Sequence, residues 1–473
     1  MACLLVPMLQ SECFAATHYV VTNGTPGWIG ATDPYTNWAT AGTNIIDVVN
    51  TAMTNPASRV VWVTNGTYNL TNVIAITNAM TIQSVKGRNA TILAGQGSIA
   101  TNRCLSFSAT GSVFDGFTVT NFAGSSGGAV YGATGGISII NCLFVGNSNA
   151  SGGGLYIYTT GSGVIVTNCV FSNNIANYNG GGLALSHGSG INNARVEGCY
   201  FYGNLCNPLY GGAGGGCYIS GYNCVVSNCI AINNTHTISG GGFGFLGGNN
   251  NTIVNCSAIS NTVTSGAYSG YGGGGIVMNS AGLIKDCLII SNKSGTSAIS
   301  GGGGVRAGPG GIVKNCLIAR NQANGGAGGG VYLTNGAIES CTISCTIVSN
   351  YAAVSGGGLY IAGPGSGTNN IIYFNTAPDA ANFTNTAGNT GLQYSCVIPA
   401  VDGARNITND PSLVNLNGGD YHLNGNSPCV NAGLNQSWMT NAVDRDGRSR
   451  IRYGTVDMGA YERINSGVIY TVH

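Results

Sequence analysis

Between Gly116 and Asn375 the apolar residues recur in a fixed cassette. Each cluster of glycines is followed by apolar residues at the first and third places, such as Leu155 and Ile157, Leu183 and Leu185, Phe243 and Phe245, or Val331 and Leu333. That alternation predicts a short strand with one buried face. A second apolar set is centred on a cysteine. Three residues before it stand Ile139, Val166, Val196, Val226, Ile253, Ile284 and Val313; two after it stand Phe144, Phe171, Phe201, Ala231, Ala258, Ile289 and Ile318. The cysteine and the residue two beyond it share a face by alternation. The residue three before lies an odd number of steps away, so it faces inward only if the chain bends in between. The position just before the cysteine is Asn141, Asn168, Asn228, Asn255, Asp286 or Asn315. These side chains tolerate the left-handed backbone that such a bend uses.

The cysteines of this register are Cys142, Cys169, Cys199, Cys229, Cys256, Cys287, Cys316 and Cys345, separated by 27 to 31 residues. Five residues after each stands an asparagine: Asn147, Asn174, Asn204, Asn234, Asn261, Asn292, Asn321 and Asn350. Units at Gly116–Asn121 and Asn370–Asn375 extend the frame to ten repeats. A unit of this length, built of short strands and tight corners, predicts an all-β parallel β-helix. Its coils stack at about 4.8 Å, so ten span roughly 45–50 Å. Like residues then lie above like. The cysteines become a structural ladder of small buried fillers, the asparagines sit at turns, and the glycines permit a corner that a Cβ would obstruct.

A coil column has open ends that need cover. "NIIDVVNTAM" places Ile45, Val48, Val49 and Ala52 on one helical face, which predicts a short helical cap over the first coil. Beyond Thr376 the frame stops and charge density rises, predicting a C-terminal capping module. The organisation read from the chain is a signal peptide over 1–16, an N-terminal cap and first coils over 17–115, regular repeats over 116–375, and a tail module over 376–473. The signal reading rests on the apolar stretch Leu4–Leu9 followed by Ala15 and Ala16.

Charged residues are only 7% of the 473, against about 25% in a typical soluble domain. The net charge of +1 gives no electrostatic pull toward nucleic acid, and no segment after the N-terminus is apolar enough for a membrane span.

The glycine-cluster and Phe-x-x-Asn units, such as "FVGN" at Phe144 and "FSNN" at Phe171, resemble the repeats of chlamydial polymorphic outer-membrane proteins. As a whole the chain is similar to large secreted bacterial β-helix proteins. "VTNGTYNL", "TIQSVKGRNATI" and "FDGFTVTN" match their N-terminal half, and "DPSLVNLNGGDYHLNGNSPCVNAG" and "VDMGAYE" their choice-of-anchor tail. The resemblance covers nearly everything after about Tyr35. It implies a right-handed parallel β-helix exported to the cell surface or beyond, and carries no catalytic residue set.

Chemistry is sparse within the repeats. The only acids between Gly116 and Pro378 are Glu197, Asp286 and Glu339, each in a different coil. Acid/base or calcium-dependent cleavage of polysaccharide needs clustered carboxylates. Lys285 and Lys314 share a register and read as a solvated pair, with Arg306 and Arg320 near in sequence; His187 and His236 read as isolated loop residues. Neither Cys341–Cys345 nor the "DRDG" of Asp444 and Asp446 makes a convincing metal site, the latter reading as a turn. The ladder thiols are expected to be free, with a pair open among Cys206, Cys217 and Cys224, and Cys396 and Cys429 as a staple for the tail. One outward feature can bind: the middle residue of the glycine strand is Tyr156, Tyr218, Tyr332 or Tyr360 in four coils, and exposed aromatic rings stack on sugars.

The leading expectation is a non-catalytic, extracellular structural or adhesive solenoid that self-associates into fibres or a surface layer, without cofactor, metal or nucleic acid. The alternative is a β-helix that binds or degrades polysaccharide, with extracellular glycans as partners.

Overall fold

The computed structural model describes residues 16–463, apart from 24, 26, 56–58, 98–102, 125–126, 209–210, 266–271, 335–340 and 389–390. The signal-peptide reading over 1–16 therefore lies almost wholly outside the described residues.

The chain is a parallel β-helix. Each regular coil contributes to three sheets. The glycine strands, from Ile74–Ile76 to Phe383–Asn385, form a 12-stranded parallel sheet, here the glycine sheet. Two strands flanking each cysteine corner join a 25-stranded cysteine sheet. Two-residue strands, from Ser148–Asn149 to Tyr351–Ala352, make a third sheet of eight. The registers confirm that equivalent positions stack, for example Leu155↔Leu183, Val166↔Val196 and Phe171↔Phe201.

The corner explains the interior. Asn168 has φ 54° and Asn141 φ 52°, and Gly198 stands in the same register at φ 60°. The left-handed residue turns the strand so that Val166, Cys169 and Phe171 are all buried. Phe144, Phe171 and Phe201 stack in parallel at 4.9 and 5.0 Å between centroids. The ladder thiols are free and buried. Cys199 N–H donates to Cys229 Sγ at 3.3 Å, and the thiols donate to main-chain carbonyls, as Cys169 Sγ does to Thr167 O at 3.3 Å. Burial pushes the Cys169 and Cys287 thiols up, so they stay protonated.

The asparagines at these turns form a buried polar ladder. Asn174 Nδ2 donates to Asn204 Oδ1 at 3.0 Å and to Phe144 O at 2.9 Å, and the Asn174 N–H donates to the same Oδ1. The bonds repeat from Asn147 through Asn375, where Asn382 supplies the last acceptor. With these donors and acceptors paired, burial costs little.

Helix α1, Ile45–Thr54, lies against the first coils and buries Ile45, Val48, Val49 and Ala52; the Asn44 side chain accepts from Ile46 N–H at its N-terminus. At the other end, coil pairing continues past Asn375 through Leu392–Gln393 and Cys396–Val397, so the solenoid outlasts its glycine-cysteine frame. The interior cysteine position passes to Asn370 and then Ser395, which keep the hydrogen-bonded stack that sequence spacing alone misses. Residues 398–407 close this end, with Val401 packed on the core and Asn406 bonded to Ser395 N–H.

Among the described residues the rest of the tail, 408–463, does not cap the end. It folds back along the outer side of the cysteine sheet, where Tyr421, Leu423, Cys429 and Met458 pack on Leu317, Val348 and Ile371. Arg320 donates to Asn417 O, Asn315 to Val443 O, and Arg445 to Asp286 O.

Candidate functional site: the outward face of the glycine sheet

In each glycine strand the first and third residues enter the core, and the middle residue faces outward. Across successive coils this outward row reads Tyr131, Tyr156, Ala184, Tyr218, Gly244, Val277, Arg306, Tyr332 and Tyr360. The row does not present a uniform surface, because the loop before each glycine cluster can fold over it.

In the middle coils the row is closed. Ala184 and Val277 have no exposure and Tyr218 only 8%, clustered with Ala213 from the covering loop. Gly244 makes room for that loop: a Cβ there would stand 2.5 Å from Ala213 Cβ and 2.6 Å from Gly214 N. Tyr218, expected as an exposed glycan contact, is thus a packing residue. Tyr156, Tyr332 and Tyr360 remain half-buried.

Toward the C-terminal coils the row opens into a cavity of about 280 Å³ lined by Ile299, Gly301, Arg306, Tyr332, Val354 and Tyr360, with Ala298 and Ala327. Arg306 comes from Val305–Ala307, whose outer residues are fixed in the core. Its guanidinium carbon sits 4.6 Å from the Tyr332 ring centroid, and Tyr332 stacks on Tyr360 at 5.0 Å and 16°. Gly301 permits this arrangement, because a Cβ there would lie 2.3 Å from a Tyr332 ring carbon. The loop carrying Ile299 and Gly301 leaves Arg306 only 6% exposed. Its Nε and Nη1 have no hydrogen-bond partner among the described residues. Burial lowers its pKa, while Tyr332 opposes that shift. An arginine nevertheless stays charged at any ordinary pH.

The arrangement has a relative at the other end of the row. Arg103 lies 4.1 Å over the Tyr131 ring, and Tyr131 is 5.8 Å from Tyr156. Here the arginine lies outside the strand row, where Ser106 pairs with Tyr131, and the two tyrosine rings tilt at 52°.

Other sequence candidates fall elsewhere. Lys285 and Lys314 do share a register, yet they are not a free solvated pair: Lys285 meets Asp286 at 3.2 Å and Lys314 lies 5.0 Å over Trp438 of the tail. His187 is a turn residue, its Nδ1 accepting from Ser189 N–H. His236 is not in a loop; it is fully buried in the short sheet, Nδ1 accepting from Ile238 and Ser239 N–H, and burial pushes its pKa down to about 3. Cys206, Cys217 and Cys224 are free, as are Cys396 and Cys429. The last two face each other between solenoid and tail without being bonded. Asp444 forms the expected turn, accepting from Asp446 and Arg448 N–H. The side chain of Cys341 lies outside the described residues. The tail's charged cluster is internally paired: His422 bridges Asp420 and Asp446, Arg448 meets Asp446, and buried Arg450 meets Glu462 at 3.1 Å.

Of the four tyrosines singled out in the sequence, Tyr332 and Tyr360 line the cavity and Tyr156 and Tyr218 do not, while Arg306 was missed as a lining residue. The one available signal was its position, in the same outward register as Tyr332 and Tyr360.

Residues 128–309 match the family model described as the right handed beta helix region. The fold is accordingly a right-handed parallel β-helix. No curated protein matches significantly. Among solved structures, the pectate lyase Pel9A is 15% identical, covering 96% of this chain and 98% of that one, with a TM-score of 0.40. The catalytic domain of a GH87 alpha-1,3-glucanase in complex with nigerose is also 15% identical, with 78% and 70% covered and a TM-score of 0.42. The PL6 family alginate lyase AlyGC is 13% identical, with 96% and 60% covered and a TM-score of 0.48. At these levels the likeness transfers no activity and no residue to this chain.

Proposed function

We propose that this chain is an extracellular polysaccharide-binding β-helix whose glycine-sheet face holds sugar rings. The observation that carries the reading is the cavity at Arg306, Tyr332 and Tyr360. Half-buried tyrosine rings offer apolar surface and hydroxyls to a sugar, and a guanidinium beside them offers donors that fix its orientation. A similar arginine–tyrosine contact at Arg103 and Tyr131, beside Tyr156, supports a polymeric ligand over a small metabolite, since a chain laid along the axis meets like chemistry twice.

The residues lining the cavity supply stacking and hydrogen-bond donors, which is the equipment of binding. The fibre reading, which draws on open coil ends, is less favoured, because α1 lies against one end and residues 398–407 lie across the other. Retention of the purified protein on a panel of immobilised acidic and neutral polysaccharides, with reducing-end detection in parallel, tests the proposal. Retention without release of reducing ends is expected. Release would move the protein to the degrading class, and failure to bind any glycan would overturn the reading.

A further inference from the structure

Arg306 and Arg450 are both more than nine-tenths buried. Arg450 has its counter-charge in Glu462, 3.1 Å away, and donates to Asp457 O. Arg306 has no such counter-charge: no carboxylate pairs with it among the described residues, and its Nε and Nη1 lack a hydrogen-bond partner, as do the same two atoms of Arg450. Leaving a buried charge uncompensated is strongly unfavourable. Tyr332 offsets part of that cost through its ring and a side-chain hydrogen bond, but brings no counter-charge. The guanidinium lines a cavity of about 280 Å³ open to the outer face, so what it lacks can arrive from outside.

We propose that the Arg306 cavity selects a carboxylate-bearing sugar unit, the carboxylate supplying the missing counter-charge while Tyr332 and Tyr360 hold the ring. This rests on the carbohydrate reading and narrows it to uronate-containing chains. Arg is the side chain best suited to this task, because its planar donors match a carboxylate and its face stacks on aromatics. Ile299 and Val354, each close to half exposed, flank the opening with apolar surface that excludes water from the ion pair once a ligand is seated. That exclusion strengthens the pairing.

The test compares oligogalacturonate with its fully methyl-esterified form, matched in length, by titration calorimetry against the full chain. Wild type should bind the acid form at least tenfold more tightly, and added salt should weaken that form selectively. Arg306→Gln should abolish the preference while keeping the weaker neutral affinity. Arg306→Lys should retain a salt-dependent preference of smaller size. Melting curves run alongside establish that each variant is folded, and the salt comparison on wild type needs no variant. Equal affinity for the two forms overturns the carboxylate assignment and leaves carbohydrate binding standing. Absence of binding to either form, together with the whole glycan panel, overturns both.

Discussion

The middle and the C-terminal part of the glycine sheet share backbone, register and inward packing, yet their outward faces differ. At Ala184, Tyr218, Gly244 and Val277 the covering loop completes a small apolar cluster. At Arg306, Tyr332 and Tyr360 the loop stops short, leaving rings, a cavity and a charge without a partner. A repeat fold can therefore hold its core constant and vary function through the length and depth of one loop per coil. The same outward position is core at Val277 and lines an open cavity one coil on, at Arg306.

Exchanging the two environments gives the largest expected effect. Val277→Arg places an unpaired charge at a site with no exposure, and a loss of about 3–5 kcal/mol in urea unfolding is expected. Arg306→Leu at the open site should cost no stability, or raise it by about 1–3 kcal/mol, because it removes unsatisfied donors. Equal losses in the two variants would erase the distinction between the regions.

Acid should act on the closed region first. His236 anchors Ile238 and Ser239 in the loop leading to the middle glycine strand, and its pKa falls from 6.5 to about 3 on folding. The folded state keeps it neutral while the unfolded chain protonates it. Stability is therefore lost as pH drops below 6.5 toward 3, by roughly 3 kcal/mol at pH 4. Unfolding of His236→Leu should lack this portion of the pH dependence; an unchanged profile would refute the assignment.

Gly301→Ala sharpens the comparison from the open side. The new Cβ meets the Tyr332 ring, so about 1–3 kcal/mol of strain is expected, with the ring displaced and glycan affinity lowered. The smallest effect is expected for Tyr360→Ala, roughly 0.5–1.5 kcal/mol of binding with unchanged melting, while Tyr360→Phe retains most affinity. Loss of affinity in the Phe variant equal to that in the Ala variant would assign the role to the hydroxyl instead of the ring face.

The coil was legible because stacking forces one residue type to recur at one spacing, and the cysteines, asparagines and glycines obey it. Helix α1 was legible because Ile45, Val48, Val49 and Ala52 already define a face. The site was only half legible. Tyrosines at alternate positions mark an outward row, but whether a row is open depends on how deeply a loop folds over it. Tyr218 and Tyr332 occupy equivalent strand positions and differ only through loops of irregular length. His236 was misread because a two-residue strand carries no periodicity. Arg306 read as a cation near the lysine pair in sequence; its missing counter-charge is a property of three-dimensional packing alone.

Hydrogen–deuterium exchange of the whole chain, with and without a saturating acidic oligosaccharide, tests the location of the site most directly. The result expected is protection concentrated in 298–306, 327–332 and 354–360, with the middle coils and the tail unchanged. Protection centred on the cysteine sheet or the tail, with those three segments unaffected, would contradict the account.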